Sequence, residues 1–428
     1  MTDAAEPDRR PTLPDSAAEH LLELLATKSW TLPEWFAAAS RFRASDDLIP
    51  RLLDVVPSYP AYREELLDLA GSRGRDAAAE RPEWASLRRF RGDAAWSSDS
   101  FDERLRWLQD RRRTDPADAA THLAARWHAE NTHDRTAFLR ALGTGLGSHD
   151  IALLESALDD PLREVRLLAV QLLRKLPDSP FAERMAARAR AWVRLERKPL
   201  RSRLVVNVPA SLDRSAQRDG IETAQFKNKG IRRWWLRMVV VATPLAVWED
   251  VLGSAERAWE IRIEDTWRSL MWEAWTSATV LQRDARWAGA LLEARGRETP
   301  RNVVALAPSR QRIHDIGSGR ADGYLLDVDG QALLDGLPHP WPEPVVAKVV
   351  ELLVRTAELH ADSGRSLGPL SRHSHHTTLR RVEAHFPFSA VPMLEAVAES
   401  TRDTEWARAF GDAARGIERR RLLLDELR

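Results

Sequence analysis

Apolar residues recur at steps of three and four along most of this chain, most clearly from Ser148 to Leu176, SHDIALLESALDDPLREVRLLAVQLLRKL. The stretch reads as two short amphipathic helices joined by Asp-Asp-Pro. In the second helix Leu162, Val165, Leu168, Ala169, Leu172, Leu173 and Leu176 share one face. Leu167 and Val170 widen the stripe, which predicts a helix touched by neighbours on more than one side, as in a stacked repeat. Asp160 is placed to cap the free amides, Pro161 fits the first helical position, and Leu176-Pro177 stops the helix. An Asp at the joint followed six residues later by Arg, here Asp160 and Arg166, is the pattern of a HEAT-type repeat, in which the two side chains link neighbouring units.

The same period predicts helices over 14–26, 32–43 and 60–71, the last ended by Gly71. Residues 72–100 read as irregular, with a charged linker around Arg73 to Glu80. From Phe101 to about residue 195, helices follow one another through short loops, which forces antiparallel neighbours. The period changes at Arg203 to Val208, a β-branched run that predicts a short strand. Helices return after Gly230, including one continuous segment from Glu256 to Ala278. Two further strands are predicted at Asn302 to Leu306 and Tyr324 to Val328, and the rest of the chain is helical again.

The expected fold is therefore all-α, a HEAT-like helical repeat (an α-solenoid) with small β-containing insertions. The expected divisions are a loose tail at 1–13, an N-terminal helical region at 14–100 and helical repeats at 101–200. A strand-and-loop insertion follows at 201–230, then a C-terminal helical region at 231–428, interrupted by an irregular insertion at 296–342. Only one repeat unit aligns convincingly, so the repeat number stays open.

Composition narrows the function classes. The chain has 428 residues, 43% apolar and 30% charged, as expected of a folded soluble protein. It has no cysteine, which excludes disulfides, thiolate metal sites and a cysteine nucleophile. No run of about 18 apolar residues is present, so no membrane span is expected, and the charged, Pro-rich N-terminus lacks a signal core. The expected compartment is the cytoplasm. No cofactor or metal motif is legible, and no catalytic set can be chosen among the many carboxylates.

Formal net charge is zero, yet Arg184 to Arg237 holds fifteen Lys or Arg against four acidic residues. Within that block lies Phe226-Lys-Asn-Lys-Gly-Ile-Arg-Arg-Trp-Trp-Leu-Arg237. Its Lys227, Lys229, Arg232, Arg233, Trp234 and Trp235 are the candidate binding residues. Basic side chains beside indoles suit a protein interface or a phosphate backbone. The plainer reading puts a Trp in the core and the basic residues in solvent. Eight of the seventeen Trp fall between Trp234 and Trp287, a density that fits layers of packed helices better than a ligand site.

Other motifs are weaker. His373, His375 and His376 are a poor metal set by themselves. His122 and His128 lack the spacing of a zinc helix. Gly143-Thr-Gly-Leu-Gly147 follows a helix and lacks the lysine of a phosphate-binding loop, so it reads as a helix end and turn. Asp327-Val-Asp329-Gly330 lacks most ligands of a calcium loop and reads as a turn.

Four segments in one order carry a resemblance. They are RLRWLQDRRRTDPADA (Arg104 to Ala119), Ala141 to Arg190, RLVVNVPASLDRSAQRDGI (Arg203 to Ile221) and KNKGIRRWWLRMVVVATPLAVW (Lys227 to Trp248). Together they resemble a bacterial HEAT-like family of unknown function, often encoded near MoxR-type AAA+ ATPases, von Willebrand A proteins and SWIM zinc-finger proteins. The resemblance implies a protein partner in a multi-protein ATPase system and carries over no catalytic residue. The expected function is a non-catalytic protein-binding scaffold or adaptor. The alternative is a nucleic-acid-binding HEAT-like protein, including an enzyme acting on DNA bases, and a hydrolase using His and carboxylates is a weaker third reading.

Overall fold

The computed structural model describes residues 8–87, 93–197, 202–221, 230–363 and 374–428. These residues are mostly helical, with one small three-stranded sheet. Contacts divide the chain into a central unit, Phe90–Arg312, and a terminal unit made of Met1–Arg89 with Ile313–Arg428.

The central unit begins with six helices: Phe101–Thr114, Pro116–Arg126, Thr132–Ala141, Ile151–Ala157, Arg163–Leu173 and Pro180–Trp192. The first, third and fifth lie side by side in that order. They start at residues 101, 132 and 163, a period of 31 residues. The buried apolar positions keep the same period: Trp107, Phe138 and Ala169; Leu108, Leu139 and Val170; Leu123, Leu154 and Met185. Each set fills one level of the helix layers, so the repeat lies in burial even where side-chain size changes.

Arginine keeps the period too. Arg104, Arg135 and Arg166 each occupy the fourth position of their helix. Each donates to carbonyls of the joint just before that helix: Arg104 to Ser98 and Asp99, Arg135 to Trp127 and His128, Arg166 to Asp160 and Pro161. Two of them also reach the acid of the next joint, Arg104 to Glu130 at 2.8 Å and Arg135 to Asp160 at 2.7 Å. One guanidinium thus ties its own joint to the following one, through charge-assisted bonds to largely buried carboxylates. Asp160 closes the pattern by accepting the Leu162 amide at 2.9 Å.

After these helices the chain enters the sheet. β1 (Val193–Arg197) pairs antiparallel with β2 (Ser202–Val206), and β2 pairs in parallel with β3 (Arg262–Ile263). β2 is the strand expected near 203–208. β1 overlaps the end of one expected helix and β3 falls inside another, and the reason is tertiary. Leu204 is buried between Leu195 and Ile263 in register, so pairing with β2 draws both neighbours into extended backbone. The expected helix from Glu256 to Ala278 therefore breaks into Arg257–Glu260, β3 and Asp265–Gln282.

Three more expectations are corrected. Asn302 to Leu306 is not a strand: Arg301–Val304 is a helical turn that buries Val303 and Val304. Tyr324 to Val328 forms turns, with Leu325 buried and Val328 exposed, so its apolar residues never share a sheet face. The charged stretch from Arg73 to Glu80 is helical, because the Arg63–Glu80 helix continues past a kink at Gly71, where φ is +65°.

In the terminal unit, Asp15–Ala26, Leu32–Ala39, Leu48–Val55 and Arg63–Glu80 supply Leu21, Trp35, Leu52 and Leu66 to one apolar cluster. Leu423 and Leu427 from the far end of the chain complete that cluster. The long C-terminal helix Thr404–Asp425 packs against His376–His385 and Val391–Ser400. Arg419 pairs with Glu23 at 2.6 Å and His20 with Glu426 at 3.0 Å.

Candidate functional site

The helix Ile231–Ala242 carries the basic, Trp-bearing segment. Trp235 is buried at 3% exposure, Trp234 and Arg233 are half-buried, and Arg232 is exposed. Trp235 therefore offers no surface for a partner. Arg233 donates to the Thr266 carbonyl and lies 5.8 Å from the Trp267 ring centroid, so it also holds two helices together. Lys227 and Lys229 lie outside the described residues.

Much of the surrounding positive charge has acid partners. Asp219, with no side-chain exposure, takes Arg184 and Arg188, each at 2.7 Å. Arg184 also meets Glu155 at 3.0 Å, Arg218 meets Asp159 at 2.7 Å, and Arg203 meets Glu196 at 2.9 Å. The local excess of basic residues is thus partly an internal network.

The remaining motifs resolve into structure. The Gly143 to Gly147 turn lies over the buried Arg112, which donates to the Leu142, Thr144 and Pro116 carbonyls. The same guanidinium pairs with both Asp150 oxygens, at 2.8 and 2.9 Å, and neither side chain is exposed. Trp248, Trp259, Trp275 and Trp287 pack together with centroids 5.6–6.2 Å apart, and the Trp287 N–H donates to Glu249. His375 is buried against Trp406, His376 starts a helix at the surface, and His373 lies outside the described residues. Among the described residues no group of three His, Asp or Glu is arranged to hold a metal, and no helix is long and apolar enough to cross a membrane.

A cleft of about 390 Å³ in the terminal unit was not anticipated. Its walls come from the end of Asp15–Ala26 and the following turn, from His376–His385 and from Thr404–Asp425. Arg420, at 3% exposure, fixes the floor. It donates to the Glu383 carbonyl at 2.6 Å and the Phe386 carbonyl at 2.5 Å, closing the free C-terminal end of the His376–His385 helix. Its Nε sits 3.2 Å from Glu34. Burial lowers its pKa and the Glu34 carboxylate opposes that.

Beside this floor the Glu383 side chain lies directly over Gly416. A Cβ built on Gly416 would stand 2.7 Å from Glu383 Cγ. The glycine, unfavourable inside a helix by about 1 kcal/mol relative to alanine, is explained by the room it gives that carboxyl. Burial pushes the Glu383 carboxyl above its usual range; the Arg380 charge opposes this and the Asp412 carboxylate adds to it. Trp30, at 40% exposure, lines the same cleft. Arg381 lies 4.6 Å from its ring centroid and His385 packs edge-on at 6.1 Å. His385 also stacks on Trp341, and its pKa is pushed down to about 4 by burial and then by His339, Arg381 and Arg420, with Glu34 opposing.

A family model matches residues 1–427. The chain belongs to a family of unknown function, DUF5691. No curated protein and no solved structure matches it. The match takes in both units, so the cleft and the 31-residue period both fall within the span of the family. Gly416 interrupts the helical run of Thr404–Asp425 without ending it, as Gly411 also does, and the structure shows that of the two only Gly416 meets a close neighbour.

Proposed function

We propose that this member of the family is a non-catalytic protein-binding scaffold whose central unit is a HEAT-like helical repeat. The carrying observation is the period shared by Arg104, Arg135 and Arg166, each bound to the carbonyls of its own helix joint, with the first two also tied to the next joint. A repeat stitched in this way is stiff, and stacked helix pairs present a broad surface suited to another polypeptide. The resemblance to HEAT-like families encoded beside MoxR-type AAA+ ATPases and von Willebrand A proteins supports a partner of that kind. Exposed Arg232 is the described residue of the basic segment that remains available for contact. The internal pairing of Arg184, Arg188, Arg203 and Arg218 leaves the nucleic-acid alternative with less free charge to draw on.

The test is affinity capture of the tagged full chain from its native host, with mass spectrometry of what co-purifies. An ATPase or von Willebrand A polypeptide should be recovered, and R232E should reduce its recovery while the helical circular dichroism stays unchanged. Capture of neither protein would overturn the partner. Equal capture by R232E would remove the contact assignment.

A further inference from the structure

The terminal-unit cleft is lined by a dense set of charges, and most are already matched. Arg415 pairs with Asp412, Arg419 with Glu23 at 2.6 Å, and Arg420 with Glu34 at 3.2 Å. Two lining residues have no ion-pair partner among the described residues: Arg380 and Glu383. They sit three residues apart on the His376–His385 helix, a spacing at which side chains are neighbours and commonly pair. Here they do not pair. Glu383 instead lies over Gly416, with its backbone carbonyl held by Arg420. The cleft thus keeps one guanidinium and one carboxylate apart beside a partly exposed indole.

A half-buried carboxylate without a direct ion pair opposes folding, as the upward shift of its pKa also indicates, the Arg380 charge offsetting burial only in part. Charged groups held at a stability penalty in a cleft mark binding sites. The volume is within the range of small-ligand sites, about 300–1,000 Å³. The complement of this arrangement is a molecule that carries a cation for Glu383 and an oxyanion for Arg380, with an alkyl or planar cationic portion to lie against Trp30.

We propose that the cleft between the His376–His385 and Thr404–Asp425 helices binds a basic amino acid unit, its ammonium or guanidinium group on Glu383 and its carboxylate on Arg380. A free basic amino acid and the carboxy-terminal basic residue of a peptide share this chemistry. The inference concerns the terminal unit alone and stands whether or not the central unit is a scaffold.

Isothermal titration of the full chain at pH 7.5 tests it. The probes are L-arginine, L-lysine and the peptide Gly-Gly-Arg, with Gly-Gly-Arg amide and L-glutamate as controls. At least one basic probe should bind with one-to-one stoichiometry, and L-glutamate should not. E383Q should weaken that probe tenfold or more. R380Q should weaken it similarly and erase the preference for Gly-Gly-Arg over its amide. Trp30 is exposed enough for W30A to keep the fold, and W30A should weaken binding severalfold. Binding of L-arginine or L-lysine assigns a free amino acid; binding of the peptide alone assigns a polypeptide end. Absence of heat with every basic probe, or unchanged affinity in both E383Q and W30A, would overturn the proposal.

Discussion

Arg112 and Glu383 are both charged side chains withdrawn from water, and the two units treat them differently. In the central unit Arg112 has three carbonyls and a bidentate carboxylate around it, with nothing left over. Asp219 is similarly saturated by Arg184 and Arg188. In the terminal unit Glu383 is only half-buried, yet no base pairs with it among the described residues, and a glycine opens space for it. A charge surrounded by its complement holds a fold together. A charge left incomplete beside a cavity opposes the fold and awaits something else. The contrast separates structural from functional candidates better than residue type does.

The comparison breaks most sharply at Arg112. R112A leaves Asp150 buried without its counter-ion and should destabilise the central unit by about 3–5 kcal/mol. The shift would appear in the urea midpoint. A milder loss in the double variant R112M/D150L would confirm that the damage is the orphaned charge and not the lost volume. A loss below about 1 kcal/mol in R112A would show that the pair is not buried as described.

Next in size are the rungs between joints. R135A removes the bond to Asp160 and those to the Trp127 and His128 carbonyls, and should cost about 1–3 kcal/mol. Hydrogen exchange should show the greatest loss of protection around residues 127–135 and 158–163. A double-mutant cycle with D160N measures the rung itself, and a coupling near zero would deny it.

Glu383 predicts an effect of opposite sign. Its carboxyl holds a proton more readily in the folded than in the unfolded chain, so stability falls as pH rises above about 4.5, the ordinary value. E383Q removes that penalty. It should raise the melting temperature by about 1–3 °C at pH 7.5 and leave it unchanged at pH 4. A lower melting temperature in E383Q at pH 7.5 would mean the carboxylate is stabilising and the contrast false.

The last effect, confined to pH below about 6.5, belongs to His385. Its folded pKa of about 4 lies below the ordinary 6.5, so the unfolded chain takes up the proton first. Its contribution is present above pH 6.5 and is lost as pH falls toward 4. H385F keeps an aromatic ring against Trp341 and should flatten the thermal-stability profile between those limits, and an unchanged slope would place the acid sensitivity elsewhere.

Local pattern made many elements legible. Leu245–Leu252 and Ile231–Ala242 start and stop where periodicity, Gly230 and Pro244 put them. At the joint before Arg163–Leu173, Asp160 accepts the Leu162 amide, where a cap was expected, while Arg166, expected to link neighbouring units, donates to carbonyls of its own joint. The 31-residue period was not read from the letters: Arg104, Arg135 and Arg166 repeat it, but Trp107, Phe138 and Ala169 share a burial level and no chemical likeness. The cleft escaped for a different reason. Its parts come from residues 20–31 and 380–423, nearly 400 positions apart along the chain.

The sequence by itself therefore determined a mostly helical chain and several of its helix ends, because these depend on neighbours within a turn or two. Tertiary structure alone decided that β1 and β3 are strands, since their extended backbone depends on pairing with β2. It alone put Trp235 inside and brought both ends of the chain into one apolar cluster. It also set Glu383 over Gly416. Each of these depends on which distant surface fills the adjacent space, and periodicity along one segment carries no information about that.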